Sequence, residues 1–375
     1  MTVAGPREGT AEPLYLDANA TEPLRPEARR AAIAALEVSG NPSSVHAAGR
    51  AARRVLEDAR EGLAARFGVG AGEVVLTAGG TEANALAVAG LGRGRRVLAG
   101  ATEHAAVLAA APDAESVPVR PDGRADLQAL AALLAGGGPA LVCLMAANNE
   151  TGVLHPLAET ATLCRAHGAL LHVDAVQAAG RVALDPGLAD SVALSGHKLG
   201  GPAGAGALLL RPGLHLPALV AGGGQERGRR GGTEPLPAIA GFAAAAVAAR
   251  PEAAEGLAAL RDRLEAGVLA AAPDAVVMVG ADAPRLPNTS CILLPGVSAE
   301  AQVIALDLAG VRVSAGAACS SGKVARSHVL AAMGLGAAAG CAIRVSLPWN
   351  APEDAPERFV LAWSAMRDRL SRRAA

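Results

Sequence analysis

Apolar residues in this chain fall into two kinds of stretch. Short dense runs stand at Glu73–Leu76, Arg96–Ala99, Ser116–Val119, Ala140–Met145, Ala169–Val173, Ser191–Leu194 and Ala207–Leu210. Each is too short for a helix and reads as a strand covered on both faces. Between them lie stretches with helical spacing. One is expected over 27–37 and another from Val45 to Phe67, with Val45, Ala48, Ala52, Val55, Leu56, Ala59, Leu63 and Phe67 on one face. The loop Gly40-Asn41-Pro42-Ser43-Ser44 before it should supply the helix cap. This alternation predicts an α/β domain with a large doubly wound sheet.

The pattern changes after an alanine-rich helix that follows Pro237 and breaks before Pro251. Helices are expected over 252–271 and 299–308, with strands over 276–279, 289–294, 311–314 and 342–347 and a last helix beyond. We therefore expect a flexible arm over 1–13, a large domain over 14–245 and a smaller α+β domain over 246–375.

Several strands end in polar residues. His172-Val173-Asp174-Ala175-Val176-Gln177 and Ser195-Gly196-His197-Lys198 would bring an acid, an amide, a hydroxyl, an imidazole and an amine to one sheet edge. Open α/β sheets bind ligands in that crevice. Lys198 and Lys323 are the only lysines, so 32 of the 34 basic Lys and Arg residues are arginine. A lysine kept beside an Asp and a His suggests work that arginine cannot do, because a desolvated amine forms an imine and a guanidinium does not. Lysine plus an acidic partner for a pyridine nitrogen is the pattern of pyridoxal phosphate binding.

Thr77-Ala78-Gly79-Gly80-Thr81-Glu82 turns from a strand into a helix. It serves equally as a plain connection or as an anion cradle of free N–H groups. Glu103-His104 follows another strand, where His104 either caps a helix or stacks on a flat cofactor. The glycine-dense stretch 221–232 precedes Thr233, which could reach a phosphate. Cys143, Cys291 and Cys341 lie in or beside apolar runs and Cys164 in a helix, so each reads as a small buried hydrophobe. Cys319 differs. It sits in Ser314-Ala315-Gly316-Ala317-Ala318-Cys319-Ser320-Ser321-Gly322-Lys323, a loop of small residues where an accessible thiol near a cation could act as a nucleophile.

Composition narrows the function further. With 51% hydrophobic and 18% charged residues the chain reads as a soluble globular protein, and at 375 residues it is long enough for two cores. Only 2% aromatic residues and a net charge of −1 give no basis for direct nucleic-acid binding or for a membrane surface. Met1–Glu12 has no apolar signal core, and the five cysteines lack C-x-x-C spacing. We expect a cytoplasmic protein with no metal site.

Taken together these segments resemble the cysteine desulfurases of the NifS/IscS type, within the class-V aminotransferase family of fold-type-I pyridoxal-phosphate enzymes. The resemblance spans about Tyr15 to Phe359. It rests on Tyr15-Leu16-Asp17 with Ala20-Thr21, Gly40-Asn41-Pro42-Ser43-Ser44-x-His46, Gly80-Thr81-Glu82-Ala83-Asn84, Glu103-His104, Asn148-Asn149-Glu150-x-Gly152 and the segments around Asp174 and Lys198. Gly224-Gln225-Glu226-Arg227-Gly228, Cys319 with Ser327-His328-Val329-Leu330, and Arg344-Val345-Ser346-Leu347 complete it. Gly80 stands where the family usually has alanine, and Gly232 where it has serine.

The resemblance implies a site. Lys198 would bind pyridoxal 5'-phosphate covalently, Asp174 would pair with its ring nitrogen, His104 would stack on the ring, and Gln177 would contact its phenolic oxygen. Gly80, Thr81, Ser195 and His197 would hold the phosphate, joined by Thr233 from the other subunit of a homodimer. Asn149 and Arg344 would hold the substrate carboxylate. Cys319 would take sulfur from L-cysteine as a persulfide, releasing L-alanine, and pass it to acceptor proteins such as an iron–sulfur scaffold or a tRNA-thiolation relay. A selenocysteine lyase, an aminotransferase-like relative and a non-catalytic sulfur-assembly scaffold are the competing readings.

Overall fold

A computed structural model describes residues 12–316 and 326–374. The first part of the chain runs β1 (Leu14–Tyr15), α1 (Pro26–Leu36), α2 (Ala47–Phe67), β2 (Val74–Thr77), α3 (Gly80–Leu91), β3 (Arg96–Gly100), α4 (Ala105–Leu108), β4 (Glu115–Val117), α5 (Leu127–Ala135), β5 (Ala140–Cys143), α6 (Leu157–Ala166), β6 (Leu170–Asp174), β7 (Ser191–Ser195), β8 (Gly206–Leu210) and α7 (Leu236–Ala248). It continues through α8 (Pro251–Ala271), β9 (Val277–Met278), β10 (Thr289–Leu293), α9 (Ala299–Leu308), β11 (Val311–Arg312), α10 (His328–Ala332), β12 (Ala342–Ser346) and α11 (Ala355–Ala374).

Seven strands form one sheet in the order β2-β8-β7-β6-β5-β3-β4. β4, β3, β5, β6 and β7 pair in parallel, while β8 runs antiparallel to both β7 and β2. The continuous apolar runs follow from burial on both faces. Val142, Leu171, Val173, Val192, Leu194 and Leu209 point into one core, and Leu141, Cys143, Ala193, Leu208 and Leu210 into the other.

The remaining strands build smaller sheets. β10 lies between β9 and β12 in an antiparallel sheet, and β1 pairs in parallel with β11. Leu14 and Leu16 therefore pack with Leu264, Ile343, Phe359 and Trp363, far along the chain. That crossing carries the segment Asp17–Glu22 against the turns that follow β6 and β7.

One expected element is displaced. The helix expected from Val45 begins at Ala47, and Val45 is 89% exposed. His46, rather than a serine of the preceding loop, is the cap, and its Nδ1 accepts from the Gly49 N–H at 3.2 Å. The reason is steric. The Ser44 backbone folds over Gly49, where any Cβ would lie 2.2 Å from the Ser44 oxygen. The chain crosses the helix start there instead of continuing it. Cys341 also departs from expectation, being partly exposed while Cys143, Cys164 and Cys291 are buried. Among the described residues no helix is long and apolar enough to cross a membrane, and no group of three or more His, Cys, Asp or Glu side chains is placed to hold a metal.

Candidate active site

The carboxyl ends of β2, β3, β5, β6 and β7 open onto a single cleft of about 910 Å³. Gly80, Thr81, His104, Asn149, Asp174, Gln177, Ser195, His197, Lys198 and Arg344 all line it. Thr233 does not line it and is exposed at the surface. Cys319 lies outside the described residues. Ser314 and Gly316 before that stretch, and Arg326 and His328 after it, line the cleft.

Asp174 ends β6 and is buried. Its Oδ1 accepts from the Val176 N–H at 2.9 Å and its Oδ2 from the Asn84 amide at 2.7 Å. Burial pushes its carboxyl up from the ordinary value, against the pull of those two donors. Asn84 is itself oriented by His172, whose Nε2 lies 2.9 Å from Asn84 Oδ1. Burial lowers the His172 pKa to about 4, so the ring is neutral. An amide oxygen only accepts, so His172 Nε2 carries the proton and Nδ1 accepts from the Ser191 hydroxyl at 2.8 Å. Ser191, His172 and Asn84 thus form a fixed chain ending on the carboxylate.

Lys198 follows β7 in a short turn. Its Nζ donates to the Asn19 oxygen at 2.5 Å and the Ala20 oxygen at 2.8 Å. Burial lowers its pKa to about 8, and the Arg344 and Arg181 cations push the same way. Its neighbour His197 is lowered to about 4 by burial and by the Lys198 charge, with Nδ1 3.1 Å from Thr21 Oγ1. Burial also lowers His104, which caps α4 by accepting from the Ala106 N–H at 3.1 Å.

Arg344 stands on β12 and is 5% exposed. Nη2 donates to Asp17 Oδ1 at 2.6 Å and Nη1 to the Asn149 oxygen at 3.1 Å, while Nε is buried and has no partner among the described residues. A buried guanidinium N–H with no acceptor beside an open cleft is chemically suited to an anionic ligand.

The turn at Gly79–Gly80 fits a phosphate. A Cβ on Gly80 would lie 2.6 Å from Val176 Cγ2 and 3.3 Å from Ser195 Cβ, so backbone N–H groups meet the cleft without a side chain over them. Gly80 starts α3, whose N-terminal dipole favours an anion. A buried carboxylate, a lysine amine and an anion cradle around one cleft match the ring nitrogen, aldehyde and phosphate of pyridoxal phosphate. The residues present fit that group.

Sequence reasoning gave no role to Asn19, Asp17, Asn84, Glu150 or Arg181. The first four line or brace the cleft through contacts far along the chain, and only the quoted motif neighbourhoods signalled them. Glu150 Oε2 accepts from the Ser327 hydroxyl at 2.6 Å, and a Cβ on Gly316 would lie 2.9 Å from the same oxygen.

Fold and cleft together define a fold-type-I pyridoxal-phosphate transferase. The chain belongs to the aminotransferase class-V family, whose model matches residues 14–358, and within it to the cysteine desulfurases of the NifS/IscS type. It is 45% identical to a cysteine desulfurase of Cereibacter sphaeroides, covering 90% of this chain and 91% of that one. It is 41% identical to an IscS-like cysteine desulfurase of Mycobacterium tuberculosis, over 89% and 91% of the two chains. The crystal structure of a NifS-like protein from Rickettsia africae superposes with a TM-score of 0.88 at 33% identity, covering 95% of this chain and 100% of that one.

Proposed function

We propose that the protein is a pyridoxal-phosphate-dependent cysteine desulfurase that converts L-cysteine to L-alanine and leaves the sulfur as a persulfide on Cys319. The observation that carries this reading is one cleft holding Lys198 with a pKa near 8, the buried Asp174 carboxylate and the half-satisfied Arg344. The cofactor, when bound, supplies an electron sink for the substrate's Cα.

Lys198 is the attachment point and afterwards moves the proton at the substrate Cα. Its lowered pKa keeps a usable fraction of free amine near neutral pH. Asp174 would pair with the ring nitrogen and keep it protonated, and His104 would stack on the ring. Gly80, Thr81, Ser195 and His197 would hold the phosphate. Gln177 would contact the phenolic oxygen. Arg344 and Asn149 bind the substrate carboxylate, which offers Arg344 Nε the acceptor it lacks.

Cys319 completes the reaction. Its thiolate sulfur bonds to the substrate Sγ as the substrate Cβ–Sγ bond breaks. The electron pair of that bond stays on Cβ and is protonated, giving alanine. Thr233 acts in the cleft of a second copy, a role supported by its exposure away from its own cleft. A homodimer follows from that reading. We place the work in the cytosol, where a thiol nucleophile stays reduced, and assign the persulfide to acceptor proteins of iron–sulfur or tRNA-thiolation type. A large domain over 14–245 would carry the cofactor, and a smaller one over 246–375 the cysteine.

The test is to incubate cofactor-loaded protein with cysteine and measure alanine and sulfide together. Wild type should release both in equal amounts in the presence of a reductant. Lys198→Ala and Cys319→Ser should release neither. Normal turnover by Cys319→Ser would replace this reading with an aminotransferase-like or lyase activity.

A further inference from the structure

Arg181 does not line the cleft and is 6% exposed, yet it sits directly behind a residue that does. It follows Gln177 by one turn of chain. Gly180, at φ +75°, bends that turn back under Leu199 and Ala249, where a Cβ would lie 2.7 and 2.8 Å from their side chains. The bend brings Arg181 Nη1 to 2.6 Å from Gln177 Oε1, while Nη2 donates to Glu22 Oε1 at 3.1 Å.

These contacts leave the Gln177 amide no freedom. A guanidinium only donates, so the amide atom facing Arg181 is the oxygen. On the opposite side Nε2 donates to the Asn19 backbone oxygen at 3.0 Å, and a carbonyl only accepts. Both ends of the amide are therefore fixed by partners of unambiguous polarity. Nε2 carries two hydrogens, and among the described residues Asn19 accepts one of them. The same Asn19 oxygen accepts from Lys198 Nζ, so Arg181, Gln177, Asn19 and Lys198 form one continuous chain.

We propose that Arg181 is a positioning residue for the cofactor: it holds the Gln177 amide oxygen away from the cleft, so that an N–H is what Gln177 presents to the phenolic oxygen. This rests on the cofactor reading above. A donor at that oxygen stabilises its ionised form and keeps the pKa of the Lys198-linked chromophore low. Without the Arg181 anchor only the Nε2 contact to Asn19 restrains the amide, and the donor is aimed less firmly at that oxygen. The charged groups facing Arg181 are Glu22 from the N-terminal segment, Arg25 beyond it, and Lys198 from the turn after β7.

The experiment is a spectrophotometric pH titration of the visible band in cofactor-loaded protein. It compares wild type, Arg181→Met, Gln177→Met and the double variant, with the cofactor dissociation constant measured for each. We expect Arg181→Met to raise the chromophore pKa by about one unit, the scale of one hydrogen bond to a charged group. We expect the double variant to match Gln177→Met, because a residue acting through another adds nothing once that other is gone. Additive shifts would show that Arg181 acts as a bare charge and overturn the inference while leaving the cofactor reading intact. A wild-type protein that forms no visible band with pyridoxal phosphate would overturn both. If Arg181→Met does not fold, Arg181→Lys takes its place in the same cycle. It keeps a charge for Glu22 but offers one nitrogen where arginine offers two, and the same non-additivity is required of it.

Discussion

Lys198 Nζ lies 2.5 Å from the backbone oxygen of Asn19, a residue 179 positions earlier in the chain. The contact solvates an amine that burial and two guanidinium groups would otherwise strip of its proton. Its pKa, near 8, sits between a surface lysine and a fully buried one. On the role proposed for Lys198, capture of the cofactor by protein freed of it requires the neutral amine. Below pH 8 that fraction falls about tenfold for each pH unit. The capture rate, followed as growth of visible absorbance, should therefore rise with pH and level off above about 8. A rate still climbing steeply at pH 10 would mean that Lys198 keeps the basicity of a surface lysine.

Asp174 depends on a partner that contributes no charge. Asn84 donates to its Oδ2 at 2.7 Å and is aimed by neutral His172. Replacing Asn84 with leucine removes one of two donors to a buried carboxyl whose pKa burial already raises. The carboxyl is driven further toward its neutral form, which could not make the proposed pair with a protonated ring nitrogen. We expect Asn84→Leu to weaken cofactor binding about tenfold, from the loss of one hydrogen bond to a charged group. Titration of apo protein with cofactor checks it, and unchanged affinity would leave Val176 N–H as the sole support Asp174 needs.

Gly80 stands where neighbouring side chains crowd the backbone. A Cβ at position 80 would meet Val176 Cγ2 at 2.6 Å, closer than carbon atoms approach. Gly80→Ala should cost about 1–3 kcal/mol by overpacking and loosen the turn proposed to hold the phosphate. Adding Val176→Ala should recover most of that loss. If the pair is no better than Gly80→Ala alone, the glycine is there for backbone freedom and not for room.

The parts of this architecture legible in the sequence are those encoded by neighbours. Runs such as Leu171–Val173 and Ala207–Leu210 announce strands because every position is buried. Asp174, Ser195 and Lys198 follow directly from where those strands end. Contacts made by backbone groups left no trace, because the oxygens of Asn19 and Ala20 are independent of side-chain identity. Arg181 read as one arginine among many, since its partner Glu22 is 159 residues away. His46 as a cap was hidden by the more usual serines before it, and only the fold of Ser44 over Gly49 settles the choice.

The glycine-dense loop before Thr233 is held by a pair that should dominate local stability. Glu226 is buried against the sheet's edge strand, where it accepts from the Leu76 N–H at 2.8 Å and from Arg60 Nη2 at 2.6 Å. Arg60 in turn donates to the Val74 oxygen at 2.9 Å, so the two side chains occupy the hydrogen-bonding groups of an otherwise open edge. Glu226 and Arg227 adopt φ of 48° and 58°, in the left-handed region, at about 1–2 kcal/mol for each residue. The loop accepts that strain because the buried pair fixes it. Arg60→Met would leave the Glu226 carboxylate buried without its cation, a change that typically costs about 3–5 kcal/mol. Chemical denaturation should show a loss of that size, and the double variant Arg60→Met with Glu226→Met should restore most of it, because no charge is then stranded. A double variant as unstable as Arg60→Met alone would mean that the edge contacts, and not the ion pair, hold the loop.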